Sequence, residues 1–450
     1  MGDLLSMELS PSIWNHQSMT DDHRARAEEE LSAAGPARQD HRLGNSFRLL
    51  WTSSALSNLA DGMGKVALPL LAIRFTDSPT LIAGLALALT LPWLLFALPA
   101  GALADRVDRR RAMLAANSVR AAVLAALAVA VLAGAGSIWA LYIAAFCIGV
   151  AETVYDTSAQ SILPQVVSQQ QLSRANGLLF AAESTANQFI GPPLGGLLVT
   201  AGAAAAFLTP AALWAIAVGI LLLLSGSFRI ERTRITTIRA DIADGVRFLC
   251  GHRLLRTLAV MVGVLSFAGS AMWAIFVLFA AGPSSTIGLS EPAYGLLLTT
   301  AAAGGLLGAL LADRVQRGLG RARSLILTIL GCALMVGAPA LTANPYLLGI
   351  AFFLGGIGVS IWNVITVSLR QLVTPGHLLG RVNSAYRLVA WGTMPLGAVA
   401  GGLLAQSVGL QAVFVVMAAV SLSMLAGMTI VTNARMDAAE REASEAATPT

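Results

Sequence analysis

Gly101-Ala102-Leu103-Ala104-Asp105-Arg106-Val107-Asp108-Arg109-Arg110-Arg111 is a short polar hinge between two long apolar runs. It packs Asp105 and four arginines into one turn of chain. A second version stands 208 residues later, where Leu311-Ala312-Asp313-Arg314-Val315 repeats Leu103-Ala104-Asp105-Arg106-Val107. A charged hinge that recurs inside an apolar chain implies a duplicated membrane architecture.

Composition agrees. Of 450 residues, 56% are hydrophobic and only 12% are charged, against about 25% charged in a soluble domain. A soluble globule of this length would still need a charged surface, so most of the chain must face lipid or other helices. The net charge of +5 is modest, and the arginines fall in short clusters between apolar runs rather than on one basic face. That excludes a nucleic-acid footprint. Cys147, Cys250 and Cys332 lie far apart in or beside apolar segments, which fits packing and neither a zinc site nor a disulfide framework.

Residues 1–46 are polar and of mixed charge, without the apolar core of a signal peptide, and read as a disordered cytoplasmic tail. Twelve apolar runs follow, near 48–74, 80–103, 112–134, 138–161, 175–200, 206–228, 254–281, 292–312, 322–342, 345–369, 380–406 and 411–432. Each is long enough for about 20 residues to cross a hydrocarbon core of roughly 30 Å. Alternate loops hold the arginines: 106–111, Arg174, 229–256, 314–323 and 370–381. The loops at 135–137, 201–205, 282–291, 343–344 and 407–410 hold no Lys or Arg. The positive-inside rule therefore places the basic loops and both termini in the cytoplasm, which requires an even number of spans.

The repeat extends beyond the hinges. Leu172-Ser173-Arg174-Ala175-Asn176 aligns with Leu379-Gly380-Arg381-Val382-Asn383 at an offset of 207, and Gly195-Gly196-Leu197-Leu198 with Gly401-Gly402-Leu403-Leu404 at 206. The expected fold is all-α, with twelve transmembrane helices in two six-helix pseudo-repeats. The divisions are a tail at 1–46, a first half at 47–228, a cytoplasmic linker at 229–253, a second half at 254–432 and a cytoplasmic tail at 433–450. Two parallel halves about an axis along the membrane normal can rock and alternate access between the two faces.

At these residues the chain resembles the major facilitator superfamily. The first hinge is similar to its loop 2–3 signature, G-x-L-A-D-R-x-G-R-R, with Asp108 where many members have glycine. Gly191-Pro192-Pro193-Leu194-Gly195-Gly196 resembles the helix 5 motif of its antiporters. Tyr155–Gln160 with Leu163-Pro164 resembles the bacterial branch of macrolide and siderophore exporters known as transmembrane secretion effectors. The resemblance covers residues 45–432 and implies a bacterial cytoplasmic-membrane transporter. One departure stands out: many drug–proton antiporters carry an arginine four residues before a helix 4 glycine, whereas here Ala145 precedes Gly149.

The candidate site residues fall into three groups. Gly101, Asp105, Arg106 and Arg109, with their echoes Asp313 and Arg314, are read as a conformational latch whose contacts hold in one state and break in the other. A plainer role, topology anchoring, suits Arg110 and Arg111. Gly191, Pro192, Gly195 and Gly196 should bend helix 5 and then admit a close helix contact. Asp61, Lys65, Arg120, Glu152, Asp156 and Glu183 are candidates for proton coupling or substrate binding, because intramembrane charge costs at least ~2.5–3.5 kcal/mol and demands a reason. Asp61 and Lys65 share one helix face at i,i+4 spacing, so a self-neutralising ion pair is one reading and a cavity-facing acid the other. Arg120, Glu152 and Glu183 lie at similar depth, about 12–13 Å from their cytoplasmic helix ends, and one arginine cannot neutralise two carboxylates. The second half has no interior carboxylate beyond Asp313, and Trp273, Trp362, Asn363, Trp391 and Met394 are its candidate cavity walls.

No Walker loop and no His/Cys/carboxylate cluster with metal spacing occurs, so an ATP-driven pump and a membrane enzyme are disfavoured. The expected function is proton-coupled efflux of a moderately hydrophobic small organic compound, such as a drug, macrolide, siderophore or secondary metabolite. The chain is expected to act as a monomer among membrane lipids, with no nucleic-acid partner and no cofactor beyond the proton gradient. The alternatives are a facilitator or symporter importing a small metabolite, and a non-transporting receptor on the same fold.

Overall fold

The computed structural model describes residues 43–104, 107–226, 228, 238–282, 284–375 and 378–447, with backbone alone at 97–104, 238–242 and 446–447. The expected tail at 1–46 therefore lies almost wholly outside the described residues. The first half is α1 (Asn45–Ala72), α2 (Pro79–Ala104), α3 (Arg109–Leu132), α4 (Ile138–Val166), α5 (Leu172–Glu183), a π-helical segment (Ser184–Ile190), α6 (Gly191–Ala201) and α7 (Ala203–Leu222). Then come α8 (Ile238–Gly251), α9 (Arg253–Ala280), α10 (Glu291–Leu319), α11 (Arg321–Leu341), α12 (Pro345–Val373), α13 (Leu379–Val408), α14 (Leu410–Leu422) with a 3-10 extension (Ser423–Thr429), and α15 (Asn433–Ala447).

Helix starts follow local chemistry. The Ser137 hydroxyl accepts from Ala140 N ahead of α4, and Asn344 accepts from Tyr346 N and Leu347 N ahead of α12, with Pro345 at the first helical position. Gly202 (φ 120°) and Gly409 (φ 92°) make the one-residue turns into α7 and α14, a conformation other residues rarely adopt. These two glycines also stand at the spacing of the repeat.

Ten of the helices are long and apolar enough to cross a membrane. Two further crossings complete the twelve-helix architecture. One is α1, whose Asn58, Asp61 and Lys65 lower its hydropathy. The other is the composite α5–π–α6, which is interrupted in its middle. Ile143, Leu223, Leu310 and Val415 point outward, each more than half exposed. In water such a surface would aggregate, whereas in a bilayer it is the solvent-facing surface.

The repeat is also visible in how helices touch. A Cβ at Gly195 would strike Met63 of α1, and one at Gly401 would strike Ala271 of α9, so each first glycine packs inside its own half. Its neighbour packs across the halves. A Cβ at Gly196 would strike the Glu291 carbonyl of α10, and one at Gly402 would strike Ala83 and Thr80 of α2. All these contacts lie at the arginine-poor end of the bundle. There one continuous apolar core joins both halves, from Leu70 and Ile82 to Phe276, Phe352 and Phe414. A second core, with Leu255, Ile329, Trp362 and Tyr386, belongs to the other end of the second half alone. The halves are thus sealed together at the arginine-poor end.

Two sequence expectations need correction. The second hinge is not a loop: α10 runs straight through Asp313 and Arg314 and turns only at Gly320 (φ 79°). Nothing in that stretch breaks a helix before glycine does. The segments expected as linker and tail also carry packed helices. Asp244 of α8 pairs with Arg381 at 3.0 Å, and Leu249 is buried in the second core. Arg321 pairs with Asp437 and Glu440 of α15, whose Met436 is fully buried.

Candidate functional site

Four helices of the first half meet around one guanidinium. Arg120 of α3 is fully buried, and its Nη1 donates to Ser57 Oγ (3.3 Å), Asp61 Oδ2 (3.5 Å) and Asn117 Oδ1 (3.5 Å). The Tyr155 ring of α4 and the Trp214 ring of α7 lie 5.2 and 5.6 Å from its central carbon, within cation–π range. Arg120 Nε and Nη2 find no hydrogen-bond partner among the described residues. A buried cation without a counter-charge would be strongly destabilising, so Asp61 is what makes this arginine tolerable. The Asp61 side chain is 11% exposed, which gives the pair one edge open to exchange.

Lys65 does not serve that pair by contact. Its Nζ donates to Asn187 Oδ1 at 2.8 Å, and Asn187 Nδ2 donates to Asn58 Oδ1 at 3.4 Å. Among the described residues Lys65 has no ion pair within 4 Å, so the self-neutralising Asp61–Lys65 pair does not form. Lys65 and Glu183 are both exposed, and they act on one another through space.

The expected cluster of Arg120 with Glu152 and Glu183 is therefore rearranged. Arg120 touches Asp61, a helix 1 residue, while Glu152 and Asp156 act on it at longer range. Glu183 belongs to the Lys65 side. The charges that act on Asp61 are Arg120, Glu152, Lys65 and Glu183. Four carboxylates thus share one neighbourhood with two first-half cations.

The π-helical segment explains how α5 and α6 present these groups. Pro192 and Pro193 carry no N–H, so the ordinary helical partners of the Gln188 and Phe189 carbonyls are missing. Gly191 N instead reaches back five residues to Ala186 O, and the Phe189 carbonyl accepts from Thr299 Oγ1 of α10 at 3.4 Å. Wide turns of this kind recur at functional sites. Gly62 lets the segment approach α1 at backbone distance, because a Cβ there would strike Asn187. Gly191 and Pro192 thus set the break, and Gly195 and Gly196 the close contacts.

The first hinge is only partly described. Asp105 and Arg106 lie outside the described residues, and of Gly101 only its place in α2 is described. Asp108 caps α3, accepting from Arg111 N (3.1 Å) and Phe228 N (2.8 Å). Arg109 is buried. Arg110 donates to the Leu221 and Leu222 carbonyls at 2.8 Å each, satisfying the C-terminal end of α7. This arginine does more than anchor topology. In the second hinge Asp313 and Arg314 are both exposed on α10, with no side-chain hydrogen bond or ion pair among the described residues. A latch contact for them is not made in this conformation.

Sequence reasoning missed Ser57, Asn117, Asn187, Tyr155 and Trp214. The signal was present in part: Ser57, Asp61 and Lys65 recur every four residues on α1, and Asn117 precedes Arg120 by three on α3. Trp214 carried no such mark, and Tyr155 stood out only as the start of the Tyr155–Gln160 stretch. Of the candidate cavity walls in the second half, Trp362 is core packing and Trp273 packs against Phe276 and Phe352. Trp391 lies between the halves, edge-on to Trp93 at 4.5 Å.

Comparison with known proteins agrees with this architecture. A family model described as transmembrane secretion effector matches residues 34–450. The multidrug efflux pump Tap of Mycolicibacterium fortuitum is 30% identical over 403 residues, covering 84% of this chain and 92% of that protein. The enterobactin exporter EntS of Shigella boydii is 26% identical, covering 76% and 80%. A bacterial homologue of the iron transporter ferroportin, solved in an inward-facing state, superposes with a TM-score of 0.68 at 18% identity, covering 85% and 98%. With the family model spanning nearly all of the twelve-helix body, the chain belongs to the transmembrane secretion effector family of major facilitator transporters.

Proposed function

We propose that the chain is an exporter that expels a moderately hydrophobic small organic compound across the bacterial cytoplasmic membrane, driven by the inward flow of protons. The observation that carries this reading is the buried Asp61–Arg120 pair, set among three further carboxylates in an otherwise apolar bundle. A proton arriving at Asp61 weakens its hold on Arg120. The freed guanidinium then needs another acid, and Glu152 and Asp156 are the ones within reach of its field. Protonation thereby becomes a shift of charge between helices, which is what a coupling site must achieve. Relatives named as a multidrug efflux pump and an enterobactin exporter support the outward direction.

The arginine distribution supports a cytoplasmic location for the arginine-rich end and both termini. In that orientation the sealed end is the outer one, and loading would occur from the cytoplasm. The residues act as binder, proton carrier and gate, and neither a metal nor an organic cofactor enters the scheme.

Everted membrane vesicles test it. Energised vesicles should accumulate amphipathic antibiotics from a fluorescent panel, and a protonophore should abolish that accumulation. Asp61→Asn should abolish it too in vesicles that carry equal amounts of folded protein, assayed below the lowered melting temperature of the variant. Accumulation that ignores the proton gradient would refute the coupling.

A further inference from the structure

The sealed end of the bundle combines close glycine contacts, an apolar core and the Arg74–Glu291 pair, and the two halves also meet toward the arginine-rich end through polar and aromatic side chains. Arg387 of α13 donates from Nη1 to Gln160 Oε1 of α4 at 3.4 Å. Its guanidinium lies over its own Trp391 ring, 4.6 Å from the centroid, and that ring meets Trp93 of α2. Gly392, the next residue, faces Leu94 of the first half.

Arg387 also lies in the field of Asp156, which stands one helical turn from Gln160 on α4. Asp156 stands one turn nearer this end than Glu152 on the same helix. From its own half it faces Glu152, Arg120, Asp61 and Glu183. In the second half, Asp313 of α10 is exposed, and among the described residues the charge that acts on Arg387 is Asp156. Arg387 thus makes a cross-half hydrogen bond to a neutral amide, one turn short of a carboxylate that attracts it.

We propose that Arg387 is the positioning residue through which the second half reads the charge state of the first: when the arginine-rich end closes, it climbs one turn of α4 from Gln160 and pairs with Asp156. Geometry favours that step. Trp391 and Gly392 already pack against Trp93 and Leu94, so they can act as the pivot while the guanidinium travels about 5.4 Å, one helical pitch. Neutralising Asp156, by a proton or by a cationic group of the substrate, removes the partner and lets this end open. The inference rests on the transporter reading but not on the direction or the coupling ion, and its test measures conformation without any substrate.

The experiment uses the full chain with Cys147, Cys250 and Cys332 replaced, and spin labels at Gln165→Cys and Ser384→Cys, both exposed near the arginine-rich end of their halves. Pulsed electron–electron distance measurement then reads closed and open populations. Arg387→Gln and Asp156→Asn should each lower the closed-to-open ratio by about fivefold, the size of a salt bridge worth about 1 kcal/mol. The double variant should fall no further, Arg387→Lys should retain most of the closed population, and the charge-swapped pair Asp156→Arg with Arg387→Asp should recover it. Equal losses from Gln160→Ala, or additive losses in the double variant, would overturn the pairing. Unchanged distances in every variant would overturn it as well. A coupling seen here together with gradient-independent transport in vesicles would refute the proton reading alone.

Discussion

Asp61→Asn should damage this protein more than removal of its partner. Substitution leaves Arg120 fully buried and still charged, because a guanidinium cannot shed its proton. Breaking a buried ion pair typically costs about 3–5 kcal/mol. Ser57 and the two aromatic rings remain on Arg120, which places the expected cost near the lower bound, about 3 kcal/mol. At about 2–4 °C per kcal/mol, the scale for domains of about 150–250 residues, that is a fall of about 6–12 °C in Tm. Arg120→Met instead leaves a carboxyl that can take up a proton and keeps Lys65 in its neighbourhood, so its cost should be only about 1–2 kcal/mol. The double variant should resemble Arg120→Met, since no uncompensated charge remains. Thermal unfolding in detergent, followed by fluorescence-detected size exclusion, checks all three. Equal losses for the two single variants, or a double variant as unstable as their sum, would show that the pair does not carry the energy assigned to it.

Further outcomes follow from the same contacts. Gly196→Ala should block closure of the arginine-poor end and cut transport at least about fivefold, given an overpacking cost of about 1–3 kcal/mol; Gly219→Ala, where nothing lies within 4 Å, should leave uptake into everted vesicles normal. Arg110→Ala removes two charge-assisted bonds to the end of α7 and should cost about 1–3 kcal/mol, measurable in the same melting assay. His252, outside the spans, caps α9 by accepting from Leu255 N, and burial pushes its pKa below the ordinary value. Folding thus favours the neutral ring: the cap's contribution is complete above about pH 6.5 and is lost as pH falls through the lowered folded value. A melting series across that range should show this loss, about 1 kcal/mol for a cap, vanishing in His252→Ala.

Much of the architecture was legible because bilayer physics leaves little choice. Apolar runs of sufficient length must be helices, and loops without arginine mark one face. The repeat was legible from Asp105/Asp313 and Gly195/Gly401, because duplicated contacts keep duplicated residue types. Gly202 and Gly409 carried the same signal and went unread, since a lone glycine in a short loop has many explanations. The site was legible only as a parts inventory. Depth along a helix could be counted, which brought Arg120, Glu152 and Glu183 to one level, but azimuth could not. Rotation about the helix axes decides that Asp61 reaches Arg120 while Glu183 turns toward Lys65. The π-helical segment adds a residue to one turn of the composite helix, so any fixed period fails across it. The hinge echo at Asp313 misled for a related reason: Leu-Ala-Asp-Arg-Val is as compatible with a helix as with a loop, and only Gly320 ends α10.

The paired glycines at the arginine-poor end have a consequence for leakage. A proton crosses a protein along a file of waters, and each water needs a void of its own and polar groups to hold it. Where Gly196 lies against the Glu291 carbonyl and Gly402 against Ala83, nothing larger than a methyl group stands between the helices, a contact too close for such a file. The closure is mostly backbone and apolar core, and its one ion pair among the described residues, the exposed Arg74–Glu291 contact at 3.3 Å, is the part that salt on the far side can screen. A plug of this type would stop hydronium as firmly as it stops cargo, which the proposed proton-driven exporter requires while it waits to be loaded.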